Sequence, residues 1–264
     1  MYSESLPQAS SVEGVHSFFF LSDSDISQYS LPYTTNVDKF HQIAYNVIIG
    51  NQVIVRGKHK RLVESVVRVL EGLIPLGCCK SVYFSHQYLK SYECKLLGLS
   101  DQVYLFKDAD KDVNYVLDDL NEFILIDLSI DSQLKIDPQN LQINFESINS
   151  QTLSEYIEYK INFELCTNVK NATQIPSIQT KIESYLSNES LDDESVMSLI
   201  RLAKEEWLNK TKVFYKYLLS PNVNNSVSIE SVLTMLNLGR NDELALKYWQ
   251  AGLSQECKMQ IRSS

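Results

Sequence analysis

The chain has 264 residues, 24 Lys and Arg against 33 Asp and Glu, and a formal net charge of −9. Hydrophobic residues make up 44% and charged residues 22%, the composition of a globular protein long enough for one large or two medium cores. The acidic balance, with an isoelectric point near 5.0, excludes a general nucleic-acid binder, which needs a basic surface to neutralise phosphates.

Residues 1–36 hold nine serines by Ser30, the prolines Pro7 and Pro32, and no sustained period. They read as a tail or linker, with Phe18-Phe19-Phe20-Leu21 as a short docking segment. That run is too short for the apolar core of a signal peptide, and no stretch approaches the ~18 apolar residues a membrane-spanning helix needs. The five cysteines, Cys78, Cys79, Cys94, Cys166 and Cys257, are an odd number without framework spacing. Together these features predict reduced thiols on the cytoplasmic side, where the Asn171, Asn188, Asn209 and Asn224 sequons would be chance matches.

From Val37 the apolar positions Phe40, Ile43, Ala44, Val47 and Ile48 follow a helical period up to Gly50, a C-cap glycine. The run Gln52–Val55 reads as a strand. A second helix then carries Leu62, Val66, Leu70 and Leu73 on one face and Arg61, Glu64, Ser65, Arg68 and Glu71 on the other, stopping at Pro75 and Gly77. Strands are predicted at 80–84, 102–106 and 123–126, with a polar loop between the first two. The runs Val53–Val55 and Phe123–Ile126, apolar at every position, predict strands covered on both faces by helices. Leu141–Phe145 and Tyr159–Leu165 alternate apolar and polar, which predicts an antiparallel pair with one wet face near the sheet edge.

After Pro176 the pattern is helical. Ile178, Ile182, Tyr185 and Leu186 form a short helix. Asp192, Asp193 and Glu194 suit the first turn of a long one running through Trp207 to Leu218. A polar break follows from Pro221, then a helix through Val232, Met235 and Leu236 to Gly239. A last helix opens at Asn241 and spaces Ala245, Tyr248, Trp249, Gly252 and Leu253 along one side. Trp207 and Trp249 both fall in apolar stripes and read as core. The predicted organisation is an α/β domain over 37–172 with a mixed sheet of five or six strands, followed by a helical subdomain over 173–264.

Catalytic constellations do not emerge. Gly50 and Gly57 enclose six residues, and Lys58 precedes His59 rather than a hydroxyl, so there is no phosphate-binding loop of the Gly-x-x-x-x-Gly-Lys-Ser/Thr type. No nucleophile elbow and no Cys-x-x-Cys occur. His16, His41, His59 and His86 lie in four separate segments, so no metal ligand set is visible and no cofactor is called for. Cys94 and His86 lack the activating surroundings of a nucleophile and its base. The conspicuous charge feature is Arg56-Gly57-Lys58-His59-Lys60-Arg61. Its cations gain nothing from a helix N-terminus, where the dipole favours anions. Arg56, Lys58, Lys60 and Arg61 are therefore either a solvated turn or a contact for an acidic partner surface or anionic headgroups.

Several fragments resemble the folliculin family over roughly residues 40–264. They are Tyr45-Asn46-Val47 with Gly50-Asn51-Gln52-Val53-Ile54, Pro75-x-Gly77-Cys78, Ser85-x-Gln87-Tyr88, Tyr92-x-Cys94 and Leu97-Gly98-Leu99-Ser100. In the helical half Lys204-Glu205-Glu206-Trp207-x-Asn209-Lys210-x-Lys212-Val213, Trp249 and Gly252-Leu253-Ser254 are similar. Their order and spacing carry the resemblance; residues 101–155 depart from it. It implies a carboxy-terminal folliculin half of the DENN fold type, an α/β part followed by a helical part. It further implies a folliculin-interacting protein and Rag or Rab small GTPases as partners. The setting would be nutrient signalling through the target-of-rapamycin pathway, in the cytoplasm and recruited to the lysosomal surface, with at most peripheral membrane association. The family's catalytic arginine lies in a longin-like half, which 36 residues before the DENN-like region cannot hold; a fragment, a shortened isoform and a reduced homologue all fit. Three functions are then open: an interaction module without catalysis, an exchange factor for a Rab GTPase, or part of a GTPase-activating protein completed elsewhere.

Overall fold

The computed structural model describes residues 37–78, 81–103, 105, 123–134, 157–167, 175–219 and 228–263. The 1–36 tail, the Leu141–Phe145 run and the break from Pro221 lie outside these. Helix α1 (Val37–Ile49) ends as its glycine predicts. Gly50 adopts φ 86° and its N–H donates to the carbonyls of Asn46 and Val47, a left-handed cap that a side chain would obstruct by striking the Tyr248 ring. The chain turns directly into β1 (Gln52–Gly57), then α2 (Lys60–Glu71), β2 (Ser81–Ser85), β3 (Leu96–Ser100), β4 (Phe123–Leu134) and β5 (Ile157–Thr167).

The five strands form one sheet in the order β2-β3-β1-β4-β5. The first four are parallel, and β5 runs antiparallel to β4. The sheet is thus mixed, with the alternating Tyr159–Leu165 run in an edge strand as its period implies. Its partner among the described residues is β4. Strand β3 occupies what reads in sequence as polar loop, with every residue buried, and 101–102 form a turn rather than the start of a strand. Val103 and Leu105 are nonetheless buried.

Alternation along the strands divides the apolar side chains into two layers. Val53, Val55, Leu96, Ile124, Ile126 and Leu128 face α1 and α2 and join the larger core. Ile54, Leu97, Leu99, Phe123 and Leu125 face the other way. Among the described residues their cover is Cys94, Val103, Leu105, Tyr88 and Leu89, a folded segment rather than a helix. Gln52 pins that segment, donating to the carbonyls of Leu89 and Cys94 and accepting from the Tyr88 hydroxyl. On α2, Ser65 is buried although it reads as part of the polar face.

The helical part comprises α3 (Ser177–Leu186), α4 (Asp193–Leu219), α5 (Ile229–Met235), α6 (Glu243–Trp249) and α7 (Gln255–Ser263), with 3-10 turns at Arg240–Asp242 and Gln250–Gly252. The last stripe is therefore not one helix: α6 ends at Trp249, a 3-10 turn carries Gly252 and Leu253 is extended; Gly252 lies against Cys78 where a side chain would collide. Met235, read as apolar stripe, is 67% exposed. Asp192 caps α4, accepting from the Ser195 N–H at 2.8 Å, and the Ser195 hydrogen bonds hold its carboxyl below the usual range. Buried Asp242 accepts from the backbone N–H groups of Ser177 and Gly239, tying the start of α3 to the start of α6.

The larger core is continuous from the sheet to these helices. Trp207 and Trp249 pack edge to face at its centre, 5.6 Å between ring centroids, both buried as their stripes predict. The Trp249 indole N–H donates to the Ile48 carbonyl at 3.1 Å, and its own carbonyl lies 3.9 Å from the Cys78 thiol. The ends of α1 and of the α2 turn thus meet at one residue of α6. Lys204 of α4 reaches the same end of α2, donating to the carbonyls of Gly72 and Ile74 at 2.8 and 3.3 Å, where a cation complements the helix dipole.

Two outcomes follow from this packing. Gly98 lies so close to the Tyr83 carbonyl that a Cβ there would separate β2 from β3; Gly98→Ala should lower unfolding free energy by about 1–3 kcal/mol or abolish folding, read by urea denaturation, and unchanged stability would contradict the register. Burial, reinforced by nearby Arg201, holds the Lys204 ammonium below the usual lysine range. A folded-state value below the unfolded one means that the unfolded chain binds more protons between the two, so stability from Lys204 rises with pH in that window. Wild type should therefore gain on Lys204→Met as pH is raised from about 7 to about 10, measured by urea midpoints; a change of opposite sign would contradict the assignment.

Candidate interaction surface

All four parallel strands end at one edge of the sheet, the edge from which α2 starts. In parallel α/β architecture such a carboxyl edge is where connecting loops converge and partners or ligands are met. Here Gly57 of β1 is in register with Ser100 of β3 and Leu128 of β4, so the segment after Gly57 stands in the middle of the edge. That segment is the basic run found in the sequence.

The structure does not keep its four charges together. Arg56 lies on the β1 face turned towards the smaller core and is half-buried. Its Nε and Nη2 donate to Asp127 of β4 at 2.5 and 2.6 Å, and Nη1 donates to the Val103 carbonyl at 3.2 Å. This two-pronged geometry matches a planar guanidinium to a planar carboxylate and locks both side chains. Arg56 is thereby a clamp between adjacent strands. Lys58, His59, Lys60 and Arg61 are exposed beyond it. Lys60 is 3.7 Å from Glu64 and 5.9 Å from the centre of the Phe84 ring, and His86 meets the same ring edge-on at 5.3 Å.

The first turn of α2 contains no acidic residue, and His59 at its N-cap provides no side-chain cap bond. Three fixed cations thus crowd a helix end that the dipole makes positive, an unfavourable placement that the exposed Lys60–Glu64 pair offsets only in part. Asp101 follows Ser100, the register partner of Gly57, at the end of the neighbouring strand. Cys94 and His86 are far apart in role: the thiol is buried and donates to the Leu96 carbonyl at 3.0 Å, while His86 is exposed. Among the described residues no group of three His, Cys, Asp or Glu could hold a metal ion, and no helix is long and apolar enough to cross a membrane.

Asp127 escaped the sequence reading although a signal existed: a carboxylate directly after four apolar strand residues must find a cation. Breaking the clamp from one side should cost about 1–3 kcal/mol, measured by urea denaturation of Asp127→Asn and Arg56→Met. The Arg56→Met/Asp127→Leu double variant should lie closer to wild type than either single variant, since it leaves no charge behind; strictly additive losses would contradict a coupled pair.

The folliculin C-terminal domain family matches residues 30–262. Folliculin of Xenopus tropicalis is 28% identical over 227 residues, covering 85% of this chain and 36% of that protein. Human folliculin is 29% identical over 229 residues with the same coverage, and so is mouse folliculin. The chain thus spans 36% of the length of the curated relatives it matches. With the match running from before α1 almost to the end of α7, the chain belongs to the folliculin C-terminal domain family.

Proposed function

We propose that this chain is an interaction module with the DENN-type arrangement, docking a folliculin-interacting protein and a Rag or Rab small GTPase without making or breaking a covalent bond itself. Its setting is nutrient signalling through the target-of-rapamycin pathway, in the cytoplasm and at the lysosomal surface. The observation that carries this reading is membership of the folliculin family over nearly the whole chain. A mixed sheet followed by a helical part is consistent with the DENN expectation. The exposed cations Lys58, Lys60 and Arg61 on the carboxyl edge supply a surface for an acidic partner.

The arginines argue for binding rather than activation. An arginine finger raises GTP hydrolysis by roughly 10³–10⁵ by reaching into a partner's nucleotide. Arg56 is held by Asp127, Arg68 lies over the Tyr83 ring, and Arg240 pairs with Glu230. Arg262 donates to the Tyr215 hydroxyl. Exposed Arg61 and Arg201 sit on helices rather than on a reaching loop.

Immobilised chain should retain a folliculin-interacting protein, and Lys58→Glu/Lys60→Glu/Arg61→Glu should weaken retention about tenfold or more at low salt, as for lost opposite-charge contacts. It should accelerate neither GTP hydrolysis by Rag proteins nor GDP release from a Rab panel. Failure of the well-folded chain to bind would contradict the reading. Fast GDP release would replace it by the exchange-factor reading, in which tighter binding of the nucleotide-free GTPase weakens nucleotide affinity by the same factor.

A further inference from the structure

Helices α1 and α2 lie on the same sheet face, and the ends of both reach Trp249: the Ile48 carbonyl accepts its indole N–H, and Cys78 contacts its carbonyl. Two helices of 13 and 12 residues that finish together start together. Each spans about 20 Å, close to the length of the 6-residue strand β1 that returns alongside α1. Val37 therefore leaves the fold at the carboxyl edge, the edge that carries Lys58, Lys60 and Arg61. The residues ahead of Val37 contain Glu4, Glu13, Asp23 and Asp25 and no Lys or Arg. Asp23 and Asp25 stand in the run Phe18-Phe19-Phe20-Leu21-Ser22-Asp23-Ser24-Asp25. Eleven residues separate Asp25 from Val37, a reach of up to about 40 Å.

We propose that the cationic turn Lys58–Arg61 is the docking site of the chain's own acidic segment Ser22–Asp25. Asp23 and Asp25 supply the carboxylates that the first turn of α2 lacks. Glu64 and Asp101 offset two of the three fixed cations, leaving a net positive charge that attracts the acidic segment and is weak enough to release it. Tethering sets an effective concentration of about millimolar, so a segment with millimolar affinity is about half engaged. An acidic partner competing for the turn must displace it, which makes the segment a built-in competitor.

Zero-length carbodiimide coupling of the full chain tests this, since it joins a carboxylate to an amine only where the two touch. An equal mixture of ¹⁴N- and ¹⁵N-labelled protein separates coupling within a chain from coupling between chains. The pairs Lys181–Glu206 and Lys247–Glu243, at 2.6 and 2.5 Å, serve as internal controls. The expected result is a single-isotope isopeptide from Asp23 or Asp25 to Lys58 or Lys60. It should fall at least about threefold between about 50 and 500 mM NaCl and vanish in Asp23→Asn/Asp25→Asn, with the controls retained. Controls without that product, equal coupling of the segment to lysines elsewhere, or a mixed-isotope product showing a second copy in the turn would each overturn the proposal. No partner is present in this experiment, so its failure leaves the binding reading above standing.

Discussion

The contact on which the remainder of the fold depends is Trp249. Its indole ring packs on Trp207, its N–H is bonded to the last turn of α1, and its carbonyl meets Cys78 beyond α2. A buried indole needs a partner for its single donor, and a helix end offers an unpaired carbonyl; each satisfies the other. Through this one residue the helical part fixes where both sheet-covering helices finish. It thereby also fixes where they begin, at the opposite edge. Gly50 and Gly252 serve the same junction by leaving room, the first for Tyr248 and the second for Cys78.

The two ends of the sheet consequently have different characters. At the amino end, bulky aromatic packing and the Lys204 bonds to Gly72 and Ile74 bind the α/β and helical parts into a continuous core. At the carboxyl end, the exposed charges of Lys58, Lys60 and Arg61 follow β1 directly and stand beside the Arg56–Asp127 clamp. A clamped base with exposed charge beside it is the arrangement expected of a docking surface whose association is steered electrostatically. The clamp explains why one of the four basic residues is unsuited to contact while the other three remain available.

Much of this was legible in the sequence, because α1, α2, α3 and α4 carry one apolar stripe each and β1, β4 and β5 carry the period of a buried or edge strand. Strand β3 was not, since Gly98 interrupts its apolar run; the glycine is there because the Tyr83 carbonyl passes too close for any side chain. Val103 and Leu105 imitate a strand, being two apart and both buried, but they cap the smaller core instead. Asp127 signals a need for a partner by its place after an apolar run, but Arg56 lies 71 residues away, so the pairing had no local signature. The cationic turn was legible as composition, whereas its separation into a clamp and an exposed trio required the register of β1 against β4.

Hydrogen exchange of the chain with and without a folliculin-interacting protein tests the central claim most directly. The account predicts slowed exchange in backbone amides at the carboxyl edge, around residues 57–63 and 100–103, with the Trp249 end unchanged. Protection confined to residues 72–78 and 249–253, or none in a complex that demonstrably forms, would contradict it.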